Sequence, residues 1–179
     1  MLIQKKTLSP DECKLLIDKA IPVLKRHWRY RADGSKFIDE RIKCERAIFS
    51  FEDNPFIFDL YKKVFSSLDI TILPSDLFLN VQKYTVGQNV FPHTDVNYNV
   101  NSLVYVASVL LNEDFEGGKF IAYYPSRQDP NELPKKAGLS CIMGSSVFHE
   151  VTKVTKGVRF SAQFRLTKDD LIPFEKNLL

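Results

Sequence analysis

The fold class expected is α+β, on three observations. Two helix-spaced apolar patterns lie before Pro74, and about eight short strand patterns follow it. The chain also keeps the two segregated rather than alternating, which points to strands closing into a sandwich or jelly roll. At 179 residues one domain is the default, with a helical part over about 1–74 and a β core over about 75–168.

The first helix is expected to open at Ser9-Pro10-Asp11-Glu12. Ser9 is a capping residue, Pro10 suits the first helical position, and Glu12 completes a capping box. Cys13, Leu16, Ile17, Ala20, Ile21 and Leu24 then recur on one face, until Pro22 bends or stops the helix. Ala47 to Phe51 reads as a short strand. Asn54-Pro55 opens a second helix whose apolar face is Ile57, Leu60, Tyr61, Val64, Phe65 and Leu68.

Past Pro74 the period changes to two. Leu77 to Tyr84 is the first strand, Thr85 to Asn89 a turn, and His93 and Asp95 sit on the next strand. Leu103 to Leu111 reads as a central strand. Asn112 to Gly118 reads as a loop whose glycine pair suits positive φ. Lys119 to Tyr124 is a strand, Pro125 to Pro134 a loop, and Leu139–Met143, Ser146–His149 and Val158–Leu166 complete the set.

Composition excludes several classes. Fourteen Phe and seven Tyr against seven Gly argue against disorder. Three cysteines, Cys13, Cys44 and Cys141, form no close pair, which fits a reducing compartment rather than a disulfide framework. The N-terminus lacks an apolar signal core, and no apolar run reaches the length of about 20 residues that spans a bilayer. A cytoplasmic protein with no membrane partner is expected. The net charge of +3 is concentrated. Residues 25 to 46 carry eight Lys/Arg and four acids, hence +4, while the remainder holds 17 bases and 18 acids, hence −1. Such a segment is either a solvated surface or a face for an acidic partner, peptide or nucleic acid.

The chemistry rests on few residues. Among three histidines, His93 forms an H-x-D triplet with Asp95, and His149 follows 56 residues later. On an extended strand, a spacing of two turns His93 and Asp95 to one face. Two imidazoles and one carboxylate are the facial triad that suits Fe(II) and leaves coordination positions open. Structural zinc favours four ligands with cysteine involved, and the helical H-E-x-x-H of catalytic zinc is absent. Arg159, ten residues beyond His149, shares a strand face with Ser161. A guanidinium holds a carboxylate through two hydrogen bonds, and a hydroxyl adds one more. Tyr84 lies nine residues before His93 and is a third candidate for that carboxylate.

Taken together these blocks resemble the Fe(II)/2-oxoglutarate-dependent oxygenases, in their prolyl 4-hydroxylase-like branch. The carrying residues are Tyr84-x2-Gly87-x5-His93-x-Asp95, Leu111-Asn112-x2-Phe115-x-Gly117-Gly118, Pro134-x3-Gly138 and His149-x-Val151-x2-Val154-x2-Gly157-x-Arg159-x-Ser161. The match covers about residues 75 to 166, and the opening Leu8 to Glu12 is also similar to that branch. The resemblance implies a double-stranded β-helix with N-terminal helices packed on one sheet. It implies His93, Asp95 and His149 as catalytic metal ligands. It implies Arg159, assisted by Tyr84 and Ser161, as the site for the far carboxylate of 2-oxoglutarate. Two departures stand out. The branch often carries a tryptophan a few residues after the serine, where this chain has Phe164-Arg165. The run Arg159 to Arg165 is also similar to the paired arginines of nucleic-acid demethylases, although the gap from His149 to Arg159 fits the hydroxylases.

The resemblance implies Fe(II), 2-oxoglutarate and O2 as cofactor and co-substrates, succinate and CO2 as co-products, and hydroxylation of a C–H bond. A prolyl residue in a peptide or protein is the expected substrate. Trp28 and Tyr30 in the basic segment are expected to face an extended chain, and Tyr105, Asn97 and Tyr98 are further pocket candidates. The alternatives are an oxygenase of a nucleobase, free amino acid or other small metabolite, and a metal-binding module without turnover. Nucleic acid is the less favoured partner.

Overall fold

A computed structural model describes residues 1–26, 28–30, 36–38, 44–74, 77–96 and 103–171, with 28–30 and 36–38 by their backbone alone. The chain opens with β1 (Leu2–Lys6) and enters α1 (Pro10–Ala20). Both halves of the expected capping box form. Ser9 Oγ accepts from the Glu12 N–H at 3.2 Å, and Glu12 Oε2 accepts from the Ser9 N–H at 2.8 Å. Pro22 does stop the helix, which ends in a single 3₁₀ turn over Ile21–Val23. Next come β2 (Lys25–Arg26), β3 (Trp28–Tyr30), β4 (Lys36–Ile38), β5 (Glu45–Ser50) and α2 (Phe56–Val64).

The second half is built of β6 (Phe78–Tyr84), β7 (Val90–His93), β8 (Leu103–Leu110), β9 (Phe115–Gly117), β10 (Phe120–Tyr123) and β11 (Pro130–Glu132). It ends with β12 (Leu139–Gly144), β13 (Phe148–Val151), β14 (Val154–Gly157) and β15 (Arg159–Thr167). One sheet has the order β1-β12-β8-β15-β6-β5-β2, and a second has β11-β10-β13-β7. From β6 onward the chain passes back and forth between these two sheets, which is the double-stranded β-helix.

Two apolar layers hold this arrangement. Leu16, Ala20, Ile57, Leu60 and Val64 from the helices bury against Leu79, Val81, Val109, Ala162 and Phe164 on the outer face of the large sheet. Between the sheets, Val106, Cys141 and Met143 pack with Val90, Phe120, Ala122 and Val151. The large sheet is therefore covered on both sides, and β15 is buried almost throughout. Its sequence still alternates: Phe160, Ala162, Phe164 and Leu166 join the helix-side core, and the polar residues between them face the other sheet.

Several expectations need correction. The N-terminal part is not helical alone, because β1 and β5 join the large sheet on opposite flanks. β1 lies on the edge with half-exposed side chains, so its sequence carries little period-two signal. The expected loop over 112–118 contains β9, which pairs with β14, a strand also absent from the expected set. The expected loop over 125–134 contains β11. This is an edge strand in which Pro130 is tolerated because its missing donor faces no partner. The glycine pair does adopt positive φ, at +68° for Gly117 and +56° for Gly118. A Cβ on Gly118 would stand 2.9 Å from Cδ of Arg159, so this turn lies directly against the arginine.

Tyr61 ties α2 to the strand ends near the functional site. Its buried hydroxyl lies 2.8 Å from the Phe78 carbonyl, to which it donates, and accepts from the Arg165 N–H at 3.1 Å. The ring packs edge-on against Phe164 with centroids 5.1 Å apart. Tyr61→Phe keeps the ring but strands both backbone groups. It should cost about 1–3 kcal/mol in chemical denaturation, with an unchanged m-value.

Candidate active site

His93 and His149 stand on adjacent strands of the four-stranded sheet and are direct cross-strand partners. Their rings lie 4.4 Å apart. His149 is sealed, and it stacks on Phe120 at 5.5 Å. The expectation that Asp95 shares a strand with His93 is corrected, because β7 ends at His93. Asp95 is held instead by its own N–H, which donates to the Ser145 carbonyl at 3.1 Å. The convergence survives the change of backbone. Asp95 Oδ1 lies 3.8 Å from His93 Nε2, and Oδ2 lies 3.4 Å from His149 Nε2.

The backbone also sets the tautomers. Nδ1 of His93 is 2.8 Å from the Phe91 carbonyl, and Nδ1 of His149 is 3.0 Å from the Val147 carbonyl. A carbonyl only accepts, so each Nδ1 carries the proton and each Nε2 turns a lone pair toward Asp95. Burial holds the His149 pKa below its ordinary value, against the pull of Asp95. The neutral ring that a metal requires is therefore the favoured form. One ligand atom from each of the three residues falls within 4.8 Å of the others, a spacing that suits a single ion. The donor set fits Fe(II): two neutral imidazoles and a carboxylate, with no thiolate.

Along β15 the inward-facing residues are Arg159, Ser161, Gln163 and Arg165, in steps of two. The row spans about 20 Å at 3.3 Å per residue. At its far end Arg159 is 1% exposed. It donates from Nη1 to Ser161 Oγ at 2.8 Å, and its guanidinium carbon lies 5.1 Å from the Tyr84 ring centroid. Tyr84 in turn donates to Gln82 Oε1 at 2.7 Å. Arg159 Nε is buried with no partner, and no carboxylate pairs with this guanidinium among the described residues. Burial alone lowers its pKa from the usual arginine value. A sealed, unpaired cation of this kind calls for an acidic ligand. A cavity of about 280 Å³ lined by Leu110, Phe115, Phe120 and Leu133 reaches Arg159 but not the three ligand side chains.

The structure thus gathers the six site residues expected from sequence into two clusters: the triad, whose histidines stand on the four-stranded sheet, and Arg159, Ser161 and Tyr84 on the large sheet. Tyr105 is not part of it. It faces the opposite side of β8 and packs with the helix-side core. Asn97, Tyr98 and the side chains of Trp28 and Tyr30 lie outside the described residues, as does most of the basic segment. Sequence reading missed two contacts to Asp95. Arg165 Nη2 donates to Oδ1 at 3.2 Å, and Gln163 Nε2 donates to Oδ2 at 3.4 Å. The signal in the sequence is the period of two that runs on from Arg159 and Ser161 to Gln163 and Arg165.

Residues 79–165 match the sequence model of the 2OG-Fe(II) oxygenase superfamily, a stretch running from β6 to β15 that includes the whole site. Over this stretch the chain is similar to that superfamily. Fe(II), 2-oxoglutarate and O2 are its cofactor and co-substrates, and a dioxygenase is its class. No curated protein sequence matches significantly. Among solved structures, a Pseudomonas putida prolyl-4-hydroxylase aligns at TM-score 0.67 and 16% identity, over 93% of this chain and 92% of that one. A viral collagen prolyl hydroxylase from Paramecium Bursaria Chlorella virus-1, in its 2OG complex, gives 0.65 and 18%, over 93% and 95%. A Trichoplax adhaerens prolyl hydroxylase in complex with a hypoxia inducible factor peptide fragment gives 0.65 and 14%, over 94% and 84%. At these identities the likeness is one of fold, here the prolyl 4-hydroxylase-like double-stranded β-helix. Among the described residues no helix is long and apolar enough to cross a membrane.

An unpaired buried guanidinium is a liability in the empty protein. Arg159→Met should therefore leave the ligand-free protein as stable as wild type, or up to about 1–4 kcal/mol more stable. It should also abolish any rise in melting temperature on adding 2-oxoglutarate or succinate. Thermal unfolding with and without the dicarboxylates measures both effects.

Proposed function

We propose that the chain, read over 1–179 as one oxygenase unit, hydroxylates a C–H bond of a prolyl residue in a peptide or protein. Succinate and CO2 are the co-products. His93, Asp95 and His149 hold Fe(II), and Arg159 takes the far carboxylate of 2-oxoglutarate. The observation that carries this reading is the pairing of two features, linked through the contacts of Asp95 with β15, the strand that carries Arg159. Three ligand atoms lie within 4.8 Å of one another, and a sealed arginine further along lacks a counter-charge.

Fe(II) held by His93, Asp95 and His149 would supply O2-dependent oxidation, in which one oxygen atom of O2 enters succinate as the keto acid loses CO2 and the other enters the C–H bond. The protein's residues do the rest. The Phe91 and Val147 carbonyls keep a lone pair on each Nε2. Ser161 orients Arg159 through Nη1, and the face of Tyr84 lies beside the guanidinium. Tyr84, its hydroxyl pKa raised by burial, remains a neutral donor. Tyr84 is the direct cross-strand partner of Arg159, which supports a role beside it at the carboxylate end. The apolar walls from Phe120 and Val106 exclude water between the two ends.

The prolyl assignment draws support from the fold shared with prolyl hydroxylases, one of them carrying a peptide. Anaerobic addition of 2-oxoglutarate to Fe(II)-loaded protein should give a weak visible band, and air should then release succinate. His93→Ala should lose both, with a drop of about 10²-fold or more in succinate formation. A wild-type protein that gives neither signal would end the co-substrate assignment.

Substrate class is decided separately. Proline-containing peptides should raise succinate release above the uncoupled rate and gain 16 Da by mass spectrometry, roughly one oxygen atom. Oligonucleotides and free amino acids should not. Stimulation by methylated oligonucleotides instead of peptides would overturn the prolyl reading while leaving the oxygenase class intact.

A further inference from the structure

Asp95 is the one anionic ligand of the triad, and a carboxylate can bind a metal through one oxygen or two. Which it does determines how many coordination positions stay open. A keto acid that chelates takes two positions, and O2 needs a third. With two imidazoles and a single carboxylate oxygen bound, those three remain free in an octahedral site. A second carboxylate oxygen would remove one of them.

The two oxygens of Asp95 are not equivalent in this chain. Oδ1 accepts from Nη2 of Arg165 at 3.2 Å, a charge-assisted bond. Oδ2 has the shorter approach to a histidine, 3.4 Å from His149 Nε2, and its other polar contact among the described residues is the long 3.4 Å one from Gln163. Arg165 is well placed for this task. Its backbone N–H is fixed by Tyr61, and its side chain is 41% exposed at the open end of the inner face. Its Nε is buried without a partner, so the contact to Asp95 is its one side-chain hydrogen bond among the described residues.

We propose that Arg165 is a positioning residue that occupies Asp95 Oδ1 and thereby keeps the carboxylate binding metal through Oδ2 alone, preserving the third open position for O2. The inference rests on the reading of His93, Asp95 and His149 as the iron site. Its consequence is selective. Loss of Arg165 leaves three protein ligands and removes a nearby positive charge, so metal binding is kept or tightened. What is lost is room for the last small ligand.

The test uses nitric oxide as a diatomic stand-in for O2 that needs the same open position. Wild-type protein loaded with Fe(II) and 2-oxoglutarate under argon is titrated with nitric oxide and followed by electron paramagnetic resonance. Arg165→Met is treated identically. The variant should bind Fe(II) at least as tightly as wild type and still show the 2-oxoglutarate band. Its nitric oxide affinity should fall by about 10–100-fold. Equal nitric oxide affinity in the two proteins overturns the proposal, and so does a variant that loses Fe(II) itself, since that marks a merely structural role. A second measurement needs no variant: the crystal structure of the Co(II)-loaded wild type. Oδ1 on Arg165 and away from the metal supports the proposal, and Oδ1 coordinated to the metal overturns it. Failure of the iron-site reading is distinguishable, because wild type would then show no 2-oxoglutarate band at all.

Discussion

A guanidinium sealed inside the β-helix, with no carboxylate to meet it among the described residues, is the constraint on which much of this structure turns. Arg159 sits at the start of β15, the central strand of the large sheet, where both faces of the sheet are covered. A charge there is costly unless something polar surrounds it. The inner face accordingly carries Ser161, Gln82 and Tyr84 at the same level, linked through Tyr84 to Gln82 and Arg159 to Ser161. These contacts satisfy part of the arginine and leave its charge for an acid from outside. The instability of the empty site and the dicarboxylate affinity proposed for it are thus one property.

The cluster of His93, Asp95 and His149 follows a different logic. It is polar because Asp95 is drawn there from beyond its strand, and β15 reaches it with two donors rather than one. Both histidines are oriented by backbone carbonyls two residues before them, a local arrangement that needs no distant partner. The carboxylate has no such local support and depends on residues 68 and 70 positions away. Precision at this end is therefore partly a tertiary property, and it passes through β15, the strand that also carries Arg159.

The covering helices matter to this site more than their distance implies. Tyr61 on α2 bonds to the backbone of both β6 and β15 where the inner row reaches Arg165. Packing of Tyr61 against Phe164 on the outer face thus fixes the register of residues on the inner face. The capping box at Ser9 and Glu12 has a similarly indirect effect. It fixes where α1 begins, and Leu8 just before it packs against the Gly138 turn that leads into β12.

What the sequence by itself determined was whatever short-range chemistry carries. The helix starts, the glycine turn, the strand period and the triad of His93, Asp95 and His149 all follow from residue types at fixed spacings. The pairing of Arg159 with Ser161 follows from a period of two. Edge strands such as β1 and β11 were not legible, because half-exposed positions impose no alternation and their pairing depends on distant strands. Asp95 was assigned to a strand because spacing alone does not reveal where ladder bonds stop. Only the tertiary structure decided that Tyr105 faces the helices, that Arg159 meets no carboxylate among the described residues, and that Arg165 closes on Asp95. Each of these depends on which strands become neighbours, and neighbours in a β-helix are set by burial of apolar faces across the whole chain, not by the residues beside them in sequence.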